Sequence, residues 1–196
     1  MIKTKSKDVQ YWEDRYRKDK TGWDMHQVSP PLKNYLDQIQ NKEIKILIPG
    51  CGNAYEAEYL IHKGFKDVHV LDIANQPLIN LQSRVSESNA LHIHQTDFFE
   101  FYDTFDLIIE QTFFCALNPD LRLAYAEKMY DLLNKNGQLV GLLFDFPLIS
   151  GPPYGGNINE YYTYFRPRFE FKTFQRSYNS YKKRFPKEIF INLVKK

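Results

Sequence analysis

The stretch from Ile44 to Leu60 constrains this chain more than any other. A compact apolar run, Ile44 to Ile48, passes directly into a turn carrying Gly50 and Gly52, then into a helix-patterned segment from Ala54 to His62. An apolar run of this length suits a strand buried on both faces of a parallel sheet, and parallel neighbours require a crossover. The same order recurs downstream. Val68 to Leu71 reads as a strand, Gln76 to Glu87 as a helix, Leu91 to His94 and Phe105 to Ile109 as strands. Leu121 to Leu133 reads as a helix stopping at Asn136-Gly137, and Gln138 to Phe144 as a fifth strand.

Upstream, Lys7 to Lys18 predicts a short polar helix. Leu32 to Gln40 predicts another, entered through Ser29-Pro30-Pro31, where the serine can cap and proline suits the first turn. The tail differs. Phe169, Phe171 and Phe174, then Glu188 to Val194, nearly alternate without long intervening helices, so they predict an antiparallel pair at one sheet edge. Gly151-Pro152-Pro153-Tyr154-Gly155-Gly156 leaves few ladder bonds and predicts a loop over the ligand end of the sheet. The fold class expected is α/β: a Rossmann-like, mostly parallel seven-stranded sheet with helices on both faces and an antiparallel C-terminal edge.

With 196 residues, 43% hydrophobic and 26% charged, the chain matches one folded core. One domain over 1–196 is expected. The net charge of +2 gives no field to steer it onto nucleic acid or anionic membranes. The basic group Lys182, Lys183, Arg184, Lys195 and Lys196 reads as a solvated face. Two cysteines, Cys51 and Cys115, suit a reducing cytoplasm and have no metal-ligand spacing; no metal is expected, and His26, His92 and His94 read as surface or packing residues. The N-terminus has no apolar signal region, and no run reaches the ~18 apolar residues of a membrane span.

Ligands of open α/β sheets bind beyond the carboxyl ends of the strands. Gly50 and Gly52 allow a tight turn and close backbone approach there, and the helix that follows directs its free amides to the same space. Asp72 ends the second strand, twenty residues after Gly52, where a carboxylate accepts both hydroxyls of an adenosine ribose. Asp97 can take an adenine amino group while Phe98 packs on the ring. A dinucleotide fingerprint would place a third glycine where Tyr55 stands, which favours S-adenosylmethionine over a nicotinamide cofactor.

Together the segments YWEDRYRKDKTGWD, LIPGCGNAYEAEYL, VLDIANQPL, TDFFEF, the FFCAL stretch with its downstream arginine, and GPPY resemble the thiopurine S-methyltransferase and halide/thiol methyltransferase superfamily of class I S-adenosylmethionine-dependent enzymes. The resemblance implies that residues 1–40 form a helical segment covering the cofactor through Trp12, Tyr16 and Trp23, with Tyr16 standing where several relatives carry tryptophan. It implies the methionine part of the donor at Gly50, beside Cys51 and Gly52, the ribose and adenine edge at Asp72 and Ile73, and the adenine pocket at Asp97-Phe98. Glu110 is implied near the donor. Arg122 and Tyr154 are implied on the acceptor side.

Methyl transfer from a sulfonium is an in-line displacement, so alignment and a dry pocket are expected rather than a protein nucleophile. Trp23, Phe113 and Phe114 are candidates to face the sulfonium, whereas Cys51 is expected to fill space. The function expected is methyl transfer from S-adenosylmethionine, leaving S-adenosylhomocysteine, to a small thiol, sulfide, halide or thiopurine-like acceptor, by a monomer or weak oligomer. The alternatives are an O- or N-methyltransferase for another small metabolite, or a non-catalytic nucleotide-binding module.

Overall fold

The computed structural model describes residues 9–85 and 88–196. Six α-helices are described: α1 (Val9–Arg17), α2 (Pro30–Leu36), α3 (Tyr55–His62), α4 (Asn75–Arg84), α5 (Arg122–Asp131) and α6 (Ile158–Phe165). The strands are β1 (Lys45–Pro49), β2 (Asp67–Asp72), β3 (Leu91–Gln95), β4 (Phe105–Gln111), β5 (Leu133–Phe144), β6 (Phe169–Arg176) and β7 (Glu188–Lys195). They form one sheet in the order β3-β2-β1-β4-β5-β7-β6. The first five are parallel, and β7 runs antiparallel to both β5 and β6.

Strand periodicity sorts the core into two layers. Ile46, Ile48, Val68, Val70, Leu107 and Ile109 face α2, α3 and α4, where Leu32, Leu36, Leu60, Leu78 and Leu81 meet them. Leu47, Leu71 and Ile108 face the other way, onto Tyr125 and Met129 of α5 and Tyr161 and Phe165 of α6. Side chains two apart share a face, so every buried strand supplies both layers.

Several element boundaries differ from the sequence expectation. α2 begins at Pro30 and ends at Leu36, and the Ser29 side chain makes no capping bond; instead its backbone N–H donates to Glu56 at 2.9 Å. α5 stops at Asp131 rather than near Asn136. β5 already begins at Leu133, with a register jump between the Phe105–Leu133 and Leu107–Gln138 pairs that accommodates Asn136 at φ 64. α6 was not expected. Its start is set by Asn157, whose side chain accepts the Glu160 amide at 3.0 Å as an N-cap. The expected helix start at Lys7 and helix end at Glu87 lie outside the described residues.

Candidate active site

The chemistry gathers at the carboxyl ends of β1 to β4. After β1 the backbone takes left-handed conformations at Gly50 (φ 55), Gly52 (φ 52) and Ala54 (φ 52). A Cβ on Gly50 would lie 2.1 Å from the Phe113 ring, and one on Gly52 would lie 2.7 Å from the Tyr16 hydroxyl. Glycine is thus required at Gly50 for space as well as for conformation. Asp72 locks the loop: one carboxylate oxygen accepts the Gly52 amide at 2.9 Å, the other the Ala74 amide at 2.9 Å. Burial pushes its carboxyl up to about 6 despite these bonds. A carboxylate oxygen has two acceptor sites, so each retains capacity for a further donor.

These groups border a cavity of about 460 Å³. Its floor comes from Gly50, Cys51, Gly52, Asp72, Ile73 and the Thr96–Phe99 segment. Asp97 accepts the Phe99 amide at 2.8 Å, which caps the short turn and holds Phe98 at the wall. At the end of β4, Gln111 and Thr112 line the cavity. Neither polar atom of the buried Gln111 amide has a partner among the described residues, which suits a group that waits for a ligand. Thr112 is held at φ 60, so this rim carries strained backbone.

The N-terminal segment forms the roof. Trp12, Arg15, Tyr16 and Trp23 line the cavity, with Trp23 edge-on to Trp12 at 5.6 Å and to Tyr16 at 5.8 Å. Glu13, buried on α1, accepts the amides of Asn75 and Gln76 at the first turn of α4. A carboxylate there answers the unpaired amides and the positive end of the helix. A second tie runs from Asp24 to Asn53 and on to Asn80.

Ten of the thirteen expected site residues, Trp12, Tyr16, Trp23, Gly50, Cys51, Gly52, Asp72, Ile73, Asp97 and Phe98, therefore border one cavity. The other three stand behind its wall. Glu110 is fully buried and accepts the Phe113 amide at 2.8 Å, the Phe114 amide at 3.0 Å and the Tyr125 hydroxyl; it shapes the 112–116 turn, and burial raises its carboxyl to about 7. Arg122 is 0% exposed, donates to Glu160 and to the Gly155 carbonyl, and lies between the rings of Phe114 and Tyr161. It anchors the GPPY loop. Tyr154 packs on Gly151 and donates its amide to the Cys115 carbonyl at 2.7 Å, while Pro152 and Pro153 reach the cavity in its place. Phe113 borders the cavity, but Phe114 belongs to the core.

Arg184 escaped the sequence reading because it sits in a basic run that otherwise does face water. Its side chain is only 10% exposed, pairs with Glu188 at 3.3 Å and donates to the Trp23 carbonyl. It lines the cavity together with Phe144, Phe146 and Tyr181. Nothing within the basic run marks it, because Trp23, which turns it inward, is remote in the sequence. Cys51 is no nucleophile candidate, since burial pushes its thiol well above the ordinary value.

The thiopurine S-methyltransferase family profile matches residues 7–190. The chain belongs to this family. Being a member, it is a class I S-adenosylmethionine-dependent S-methyltransferase. A probable thiol methyltransferase of Arabidopsis thaliana is 32% identical over 158 residues, covering 76% of this chain and 69% of the relative. A thiopurine S-methyltransferase of Photobacterium profundum is 22% identical over 75% of this chain and 77% of its own. Among solved structures, the 1,6-didemethyltoxoflavin-N1-methyltransferase of Burkholderia thailandensis, solved with S-adenosylhomocysteine, superposes with a TM-score of 0.78 at 16% identity, covering 95% of this chain and 86% of the other. TehB from Haemophilus influenzae gives 0.69 at 18% identity, over 94% and 67%. These two carry the fold alone. Among the described residues of this family member, no helix is long and apolar enough to cross a membrane.

Proposed function

We propose that the cavity holds S-adenosylmethionine along the β1 to β4 strand ends and receives a small, soft, anionic acceptor, a thiolate, sulfide or halide, on the side walled by Arg184. The fit of the donor rests on the Gly50 cradle that a Cβ would fill and on the buried Asp72 carboxylate. Asp72 would take the ribose hydroxyls, Ile73, Asp97 and Phe98 the adenine, and Gly50 to Gly52 with the Gln111 amide the methionine part. Bound S-adenosylmethionine supplies an electrophilic methyl group on a sulfonium.

The single observation that carries the acceptor reading is Arg184, a guanidinium held nearly dry beside Trp23, Phe144 and Phe146. A fixed cation in such surroundings stabilises a thiolate relative to its thiol and attracts small anions. The aromatic walls exclude water, which strips the nucleophile of hydration. No general base is needed, because the attacking species is already an anion. The names of the relatives, thiol, thiocyanate and thiopurine methyltransferases, point the same way.

We further read residues 1–196 as one methyltransferase domain whose N-terminal segment, in its described part from residue 9 to 40, covers the cofactor, as the anchoring of α1 by Glu13 supports. Unpaired Cys51 and Cys115 support a reducing cytoplasm as its compartment. Incubation with labelled S-adenosylmethionine and a panel of small thiols, sulfide, iodide, thiocyanate and a thiopurine tests the acceptor. Methylated thiol, sulfide or halide is the expected product. Tight donor binding with no methylated product from any of them would overturn the reading.

A further inference from the structure

On one face of the β2–β3 pair, starting at the amino end of β2, four ligating side chains meet: Asp67 and His69 of β2, His92 and His94 of β3. The register makes this unavoidable. In the parallel pair His69 lies opposite His92 and Leu71 opposite His94, and alternate residues share a face, so the His69 ring lies between the other two. Its centroid is 4.4 Å from that of His92 and 5.1 Å from that of His94. The His69 Nε2 is 2.7 Å from Asp67 Oδ1, and His92 Nε2 is 3.3 Å from that same oxygen. On its far side His69 Nδ1 meets His94 Nε2 at 2.9 Å.

We propose that Asp67, His69 and His92 bind a divalent transition metal ion of the zinc class, with His94 orienting His69 from behind. Two imidazole nitrogens converge on one carboxylate oxygen, and the three donor atoms lie within 4.8 Å of one another. Donors at about 2.0 to 2.1 Å from a tetrahedral zinc are themselves roughly 3.3 Å apart, which is the His92 to Asp67 spacing, and the shorter His69 contact needs only a small opening. The donor set, two imidazoles and a carboxylate, suits zinc, nickel or copper better than magnesium or calcium. Solvent reaches the site, because the His92 and Asp67 side chains are 44% and 36% exposed, leaving room for water as a fourth ligand.

The protons balance without release. With His69 neutral, its single proton moves from Nε2, which takes the metal, to Nδ1, where it is donated to His94 Nε2; His94 carries its own proton on Nδ1. Such an outer partner fixes the tautomer and raises ligand basicity. Asp67 and Asp72 are separated along β2 by five residues, roughly 16 Å at the rise of a strand, so the site is distinct from the cavity. Its effect would be to clamp the edge strand β3 to β2.

Equilibrium dialysis of the full chain against zinc, with metal counted per chain, and calorimetric titration test this. One zinc per chain is expected, and His92→Ala should weaken it by at least about 100-fold, while His94→Gln costs about 10- to 100-fold. S-adenosylhomocysteine affinity should stay unchanged in His92→Ala, which reports that the fold is intact. Because His69 is buried, its part is read in the wild-type protein: zinc should shift the ring-proton resonances of both His69 and His92. No bound zinc, zinc bound equally well by His92→Ala, or unmoved His69 resonances would each overturn the proposal.

Discussion

The two halves of the cavity are built by different means. The half proposed to hold the donor is made of short, sequence-local devices: a strand, a left-handed turn and a helix within twenty residues, then an aspartate whose carboxylate accepts a bond from that turn. The half proposed to receive the acceptor is assembled from remote pieces. Arg184 meets Trp23 across 161 positions, and the GPPY loop is held by Arg122 through Gly155. A part defined by local turns tolerates little change in its backbone but can be swapped between proteins as a unit. A part defined by distant contacts varies with every insertion in the loops that bring it together.

The sharpest way to break this division is Arg122→Met. It leaves Glu160 without its buried partner and frees the GPPY loop, so a loss of about 3 to 5 kcal/mol in stability is expected, read by urea denaturation, with donor affinity in the surviving folded fraction near wild type. Intact stability with lost acceptor turnover would instead return Arg122 to the acceptor. Gly50→Ala comes next. The left-handed backbone costs about 1 to 2 kcal/mol with a Cβ present, and the overlap with Phe113 adds about 1 to 3 kcal/mol, so calorimetry should find S-adenosylhomocysteine binding severely weakened.

Asp72→Ala should cost about 1.5 to 3 kcal/mol of donor affinity with acceptor KM little changed; unchanged S-adenosylhomocysteine affinity would remove the ribose assignment. Arg184→Met should do the converse, raising acceptor KM about tenfold, or about 1.4 kcal/mol, at constant donor affinity, together with a loss of stability because the buried Glu188 is left without its partner. The smallest effect is in pH. Ribose hydroxyls bond best to the ionised carboxylate, whose pKa is raised to about 6. Donor affinity should therefore rise as pH increases through 6 and level off above 7, by at most about tenfold per unit, and Asp72→Asn should flatten that curve. The same raised pKa works against the unliganded fold: the folded state holds the Asp72 proton between pH 4 and 6 while the unfolded state has lost it, so this group's contribution to stability falls as pH rises through that window.

Legibility in the sequence follows the same line. The five parallel strands and Asp72 could be read because burial on two faces and a strand-end turn leave marks within a few residues. α6 goes unread between the GPPY loop and the alternating tail; the Asn157 to Glu160 cap is the mark that sets it apart. Glu110 was displaced by one position from Gln111, its neighbour on the opposite face, which is the residue that borders the cavity. The placement of Arg122 behind the wall and of Arg184 at the cavity goes unread for a different reason. Nothing near either in the chain distinguishes an inward arginine from an outward one, since Trp23 and Glu188 turn Arg184 inward, and Glu160 and Gly155 hold Arg122 away from the cavity.

The strand order carries a consequence for how the protein is made. β6 precedes β7 on the ribosome but lies outside it in the sheet, because β7 inserts between β5 and β6. Until Glu188 to Lys195 have been synthesised, β5 has an open edge and β6 has nothing to pair with. Arg184, four residues ahead of β7, takes its place against Trp23 at that same late moment. The nascent chain can thus shape the turn after β1 early, yet it gains the Arg184 wall of the cavity only when β7 slides home.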